Sequence, residues 1–214
     1  MPPRSHPLSP LDTRAATRHL ARVDPALGKV IHRVGPCTIE TRGDTFGTLA
    51  FAIFSQQISG KIARLLFDRY RAFFPRKAPT PAGTLSLTDE QLRSAGLSRQ
   101  KRAYLRDLAQ HVIDKRLPTR RLRTMSDDEV IAALTAVHGI GRWTAEMFLI
   151  FTLGRLDVFP VDDLGVQRGV QRLRGLASLP KPREMPPHGE LWRPYRTVAS
   201  WYLWRGQEFL PPAL

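Results

Sequence analysis

The most reactive-looking arrangement in this chain is a carboxylate, Asp163, set twenty residues after Trp143 and directly before the run LGVQRGVQRL. Upstream of both lies a glycine turn, Gly139-Ile140-Gly141. Apolar residues at helical spacing precede it (Val130, Ile131, Leu134, Val137) and follow it (Trp143, Met147, Ile150, Phe151). A turn of this kind leaves the first amides of the second helix without partners. Those amides and the helix dipole form a ready anion site, which glycine lets a ligand approach closely. Gly139, Gly141, Arg142 and Thr144 are therefore the candidate phosphate contacts. Glycine also ends many helices with no ligand involved, so the turn alone is a weak signal.

The charge balance adds to it. Lys and Arg number 33 against 19 Asp and Glu, giving a net charge of +14. A surplus of this size suits phosphate neutralisation, and its Arg-rich make-up suits bidentate phosphate contact; a generically basic protein is the plainer account. Beside an anionic polymer a carboxylate is repelled, so Asp157, Asp162 and Asp163 ask for a reason. Asp162 or Asp163 can simply cap the helix that follows. Alternatively, a carboxylate stabilises the sugar cation that forms when a glycosidic bond breaks, or activates water against it. Two adjacent aspartates can divide these tasks.

Composition sets the remaining bounds. Cys37 is the only cysteine, which leaves no internal disulfide, thiolate zinc site or four-cysteine iron–sulfur cluster and fits a reducing, cytoplasmic setting. Residues 1–10, MPPRSHPLSP, have four prolines and no apolar core, so a loose tail is expected rather than a signal peptide. No apolar run is long enough for a membrane span.

The elements that must position these residues read as helical nearly throughout. Asp24-Pro25, Ser59, Ser98 and the box Ser126-Asp-Asp-Glu129 mark helix starts. Residues 75–84 and the proline-rich 177–189 read as loops. A last helical stretch, 191–205, carries Trp192, Tyr195, Trp201, Tyr202 and Trp204. The expected fold is all-α, two-lobed, with a DNA-binding cleft between the lobes. The basic runs at 99–102 (Arg-Gln-Lys101-Arg) and 115–123 read as solvated faces, some of which meet phosphate.

GIGRWTAEMFLIF followed by DVFPVDDLGVQRG resembles the helix-hairpin-helix and Gly/Pro-Asp signature of the HhH-GPD DNA glycosylase superfamily. FAIFSQQISGKIA and LWRPYRTVASWYLWR agree with its DNA-3-methyladenine glycosylase II branch. The similarity covers residues 46–206, and the stretch before it is too short for the extra β-domain of longer members, so a compact form is expected. The resemblance implies one glycosylase domain over residues 11–214, with the hairpin near 127–153. It implies that Asp163 is catalytic and Asp162 its neighbour and helix cap. Bifunctional relatives carry a Schiff-base lysine where this chain has Trp143, so a monofunctional enzyme using water is implied. Trp143, Met147, Gln56, Tyr195 and Trp192 fall to the base pocket, where aromatic rings would hold an electron-poor flipped base; ordinary core packing is their alternative. Gln57 falls to the wedge that fills the gap left by flipping. The implied partner is double-stranded DNA containing alkylated bases, met by a monomer with no membrane. No cofactor is implied beyond a monovalent Na or K ion on the carbonyls of Thr135, Val137 and Ile140. The rival reading is a non-catalytic hairpin module that binds bent or damaged DNA.

Overall fold

A computed structural model describes residues 10–41 and 44–210. The expected tail lies outside them except for Pro10, which opens the first helix. In chain order the helices are α1 (Pro10–Val23), α2 (Pro25–Val34), α3 (Thr45–Ser55), α4 (Gly60–Arg71), α5 (Pro81–Ser86) and α6 (Asp89–Ser94). There follow α7 (Arg99–Ile113), α8 (Asp127–Thr135), α9 (Arg142–Phe148), α10 (Leu164–Arg174), α11 (Pro186–Gly189) and α12 (Arg196–Arg205). A π-helical segment, Leu149–Leu153, succeeds α9. Among the described residues there is no strand, and no helix is long and apolar enough to cross a membrane. The fold is all-α. The chain divides into two compact units, one running from Arg42 to Phe148 and the other combining Met1–Thr41 with Leu149–Leu214.

The continuous unit is built around α3 and α7. Helix α3 buries Leu49, Ala50, Ile53 and Phe54, and α7 buries Leu105, Leu108 and Ala109. Each of the leucine, isoleucine and phenylalanine side chains contributes about 1.5–3 kcal/mol on leaving water, the alanines less. An aromatic chain of Phe51, Phe67, Phe54, Tyr70 and Phe74 joins α3 to α4 at centroid distances of 4.9–5.8 Å. Buried Tyr70 keeps its hydroxyl satisfied on Thr84 at 2.6 Å, and burial raises its pKa. The marked helix starts are present: Ser59 accepts from Ile62, Ser98 from Lys101, and Ser126 and Glu129 exchange bonds in a capping box. The loop expected at 75–84 is corrected. Thr80 accepts the Gly83 amide and Pro81 takes the first helical position, which together start α5 inside that segment.

The discontinuous unit packs α1 and α2 with α10 and α12. Every residue from Thr197 to Leu203 on α12 is buried, so this helix is covered around its whole circumference, with the polar Thr197 and Ser200 among the buried residues. On α10, Gly169 lies so close to α12 that a Cβ would sit 2.7 Å from Leu203. Asp24 caps α2 through the amides of Ala26 and Leu27, and also accepts Arg174 at 2.7 Å and the Trp192 indole at 2.8 Å. The stretch 191–205 is not one helix. A cis Arg193–Pro194 bond divides a short 3-10 turn at Glu190–Trp192 from α12. Residues 177–189 hold only a 3-10 turn and the single-turn α11, as four prolines require.

Candidate active site

The hairpin is assembled from α8, the residues to Gly141, and α9. Val137 donates to Leu134 and Ile140 to Val137, each at 3.1 Å, folding the chain sharply back before Ala145 closes the first turn of α9 onto Gly141. Gly139 takes φ 83°, and a Cβ there would lie 2.2 Å from the Tyr104 ring. Only glycine fits. At Gly141 an added Cβ meets nothing within 4 Å, so this glycine faces open space at the head of α9. Arg142 is exposed and its Nε bonds buried Glu146 at 3.0 Å, which fixes the guanidinium one turn from its origin. Thr144 and Met147 are half-buried. Trp143 is 46% exposed, so it is only partly packed.

Asp107 secures the hairpin from α7. One carboxylate oxygen accepts the His138 amide at 2.8 Å and pairs with its imidazole at 3.0 Å. Burial works to raise this carboxyl, but the hydrogen bonds from His138 and the charges of His111 and His138 bring it below its ordinary value.

The glutamine pair follows the end of α3. Gln56 is half-buried and donates through Nε2 to the Gly139 carbonyl at 2.6 Å. Its amide thereby ties this turn to the hairpin. Gln57 is exposed with φ 59°. Lys101, read from sequence as part of a solvated basic run, instead donates to the carbonyls of Phe54 and Gln56.

In the discontinuous unit, Asp157 is held by two arginines. It takes Arg193 at 2.7 Å and Arg196 at 2.7 and 3.0 Å, so it anchors the chain leading to Val158. Pro160 accepts the Asp163 amide at 3.0 Å, turning the chain into α10, and Gln167 donates to Val161 at 2.7 Å to brace that turn. Asp163 is itself the N-cap of α10. Its Oδ1 accepts the Val166 amide at 2.9 Å and the Trp204 indole at 2.8 Å. The division of labour expected between the two aspartates is therefore corrected: Asp162 is exposed, and Asp163 both caps and presents the carboxylate. Trp204 stacks on Phe151 at 5.8 Å and 27°.

Two aromatic expectations part company here. Trp192 is wholly buried and bonded to Asp24, with Arg174 over its ring at 5.5 Å, so it is core and not a pocket wall. Tyr195 is half-buried before α12, edge-on to His19 at 5.3 Å. Trp204, Lys101, Tyr104 and Asp107 were missed. Trp204 left a trace in the sequence as one of five aromatics in a short C-terminal run, and Lys101 as part of a basic run that does not mark its inward turn.

Residues 50–194 match the family described as HhH-GPD superfamily base excision DNA repair protein. The chain is 31% identical over 199 residues to the alkylbase DNA glycosidase-like protein mag2 of Schizosaccharomyces pombe, spanning 91% of this chain and 93% of that protein. The crystal structure of DNA-3-methyladenine glycosidase from Bacillus halodurans matches with a TM-score of 0.81 at 37% identity, over 88% of this chain and 87% of that one. The Schizosaccharomyces pombe 3-methyladenine DNA glycosylase Mag1, solved in complex with abasic DNA, matches with a TM-score of 0.78 at 34% identity, over 89% and 95% of the two chains.

Proposed function

Because the chain belongs to the HhH-GPD superfamily of base excision DNA repair proteins, we propose that it is a DNA glycosylase that flips an alkylated base out of duplex DNA and hydrolyses its N-glycosidic bond. The observation that carries this reading is the fixing of Asp163 through Oδ1 by the Val166 amide and the Trp204 indole. A carboxylate held in this way stabilises the sugar cation as the bond breaks, or directs a water onto it. Alkylation at N3 or N7 of a purine already weakens that bond and leaves the base positively charged. The exposed ring of Trp143 offers such a base a stacking and cation–π face worth about 1–2 kcal/mol. Gly141, Arg142 and Thr144 supply the phosphate grip at the head of α9, and exposed Gln57 the wedge.

Trp143 has no amine with which to form a Schiff base, so the product is an abasic site in an uncut strand. Borohydride should accordingly trap no covalent adduct. The carbonyls of Thr135, Val137 and Ile140 are oxygen donors of the kind a monovalent ion takes, that of Val137 already accepting Ile140 through one lone pair. An ion there would brace the turn, and no step of the reaction runs through it.

Asp163→Asn is the decisive variant, since asparagine keeps the cap of α10 while removing the charge. Release of 3-methyladenine and 7-methylguanine from methylated DNA, followed by chromatography, should fall by about 100- to 1,000-fold, with duplex binding retained. Undiminished release would exclude Asp163 from the reaction. A non-catalytic hairpin binder needs neither Asp163 nor Trp204, and it predicts no free base from the unsubstituted chain under any lesion.

A further inference from the structure

Lys101 turns its ammonium inward. Nζ donates to the Phe54 carbonyl at 2.8 Å and to the Gln56 carbonyl at 2.7 Å. These acceptors lie at the C-terminal end of α3, where a helix leaves its last carbonyls unpaired and its dipole concentrates negative charge. Burial lowers the Lys101 pKa below its ordinary value, the signature of a cation that has exchanged water for carbonyl oxygens. The residue it leads into is Gln57, whose φ of 59° is unfavourable for any side chain other than glycine. Such a conformation persists only where neighbours hold it.

The neighbours here also hold the hairpin. Gln56 is gripped at both ends, its carbonyl by Lys101 and its side-chain amide by the Gly139 carbonyl. Tyr104, one turn along α7 from Lys101, lies directly under Gly139, and Asp107 a turn beyond takes the His138 amide. Lys101, Tyr104 and Asp107 share one face of α7, and that face carries the turn at Gln56-Gln57 and the turn at His138–Gly141 together.

We propose that Lys101 is the positioning residue of the wedge: it holds Gln57 in its left-handed turn and fixes that turn to α7, whose same face also holds the hairpin turn that leads into the phosphate grip. The proposal rests on the reading of Gln57 as the side chain that enters the gap in flipped DNA. Its physical content is preorganisation, because a wedge already set against the grip loses little freedom on entering the duplex. Lys101 then matters to DNA containing a gap and hardly to intact duplex. A lysine used as one more surface charge would matter equally to both.

A double-substitution cycle separates these. Lys101→Met, Gln57→Ala and their combination are compared by dissociation constants for an abasic-site duplex and an undamaged duplex of the same sequence. Lys101→Met should weaken abasic-site binding about five- to tenfold, and undamaged binding by no more than about twofold. In the Gln57→Ala background it should add nothing to the abasic-site loss, since both changes remove one device. Equal weakening of the two duplexes, or losses that multiply in the combined variant, would overturn the proposal while leaving the wedge intact. A Gln57→Ala chain with undiminished preference for the abasic duplex would instead defeat the wedge reading, and the coupling with it. Should Lys101→Met fail to fold, Lys101→Gln keeps one donor and enters the same cycle with the same two outcomes.

Discussion

The Trp204 indole and the Val166 amide both end on Oδ1 of Asp163, so the carboxylate cannot tilt without losing a charge-assisted hydrogen bond. Trp204→Phe should keep an aromatic ring against Phe151 and lose only the N–H. Single-turnover base release is expected to slow by about tenfold to a hundredfold, the worth of one hydrogen bond to a charged group, with duplex affinity unchanged. A parallel loss of affinity would show that the ring, rather than its N–H, matters. This pairing was invisible in the sequence because its partners stand 41 residues apart and belong to different helices. The choice between Asp162 and Asp163 was hidden for another reason. Both have capping chemistry, and the backbone turn at Pro160 decides which of them reaches the amide of Val166. Trp192 was misread because a Trp in an aromatic run carries no mark of which face is buried; Asp24, far away in sequence, takes its indole.

At the scale of elements, local signals were the legible ones. Four helix starts and the glycine turn depend on residues within a few positions of each other, and each stands where the sequence put it. What α7 does for the two turns depends on contacts across 31 to 47 residues, which periodicity cannot register. The two hairpin glycines show the difference and now separate as tests. Gly141→Ala adds a methyl to open space, so the chain should melt as before while every duplex, damaged or not, binds more weakly. Gly139→Ala forces a Cβ into Tyr104 at a positive φ and should cost about 1–3 kcal/mol of stability, read by thermal melting. Equal melting temperatures for the two variants would contradict this account of the turn.

Over the whole molecule, a net charge of +14 sets long-range attraction to nucleic acid, while the acid dependence of folding stability falls to buried, paired carboxylates. Asp24 is the chief of these, 3% exposed beside Arg174. Burial works to raise its pKa, yet bonds from Arg174, Trp192 and the Leu27 amide bring it below the ordinary 3.8. The folded pKa thus lies under the unfolded one, so the stabilisation is complete above about pH 4 and is lost as pH falls through the folded value. Asp24→Asn should cost about 3 kcal/mol at pH 7 and flatten the acid limb of stability measured by melting from pH 7 to pH 3. An unchanged acid limb would assign it to other carboxyls, Asp107 first among them.

The division of the chain also sets an order of assembly. Residues 42–148 form an uninterrupted segment, and their unit has all its parts once Phe148 has left the ribosome. The other unit draws its halves from either side of that segment. Helices α1 and α2 are synthesised before that segment, with Leu20, Leu27, Val30 and Ile31 destined for a core whose remaining walls, α10 and α12, are made after it. Until then that apolar stripe stays wet and open to aggregation, and the helix carrying Trp204 is the one whose arrival covers it.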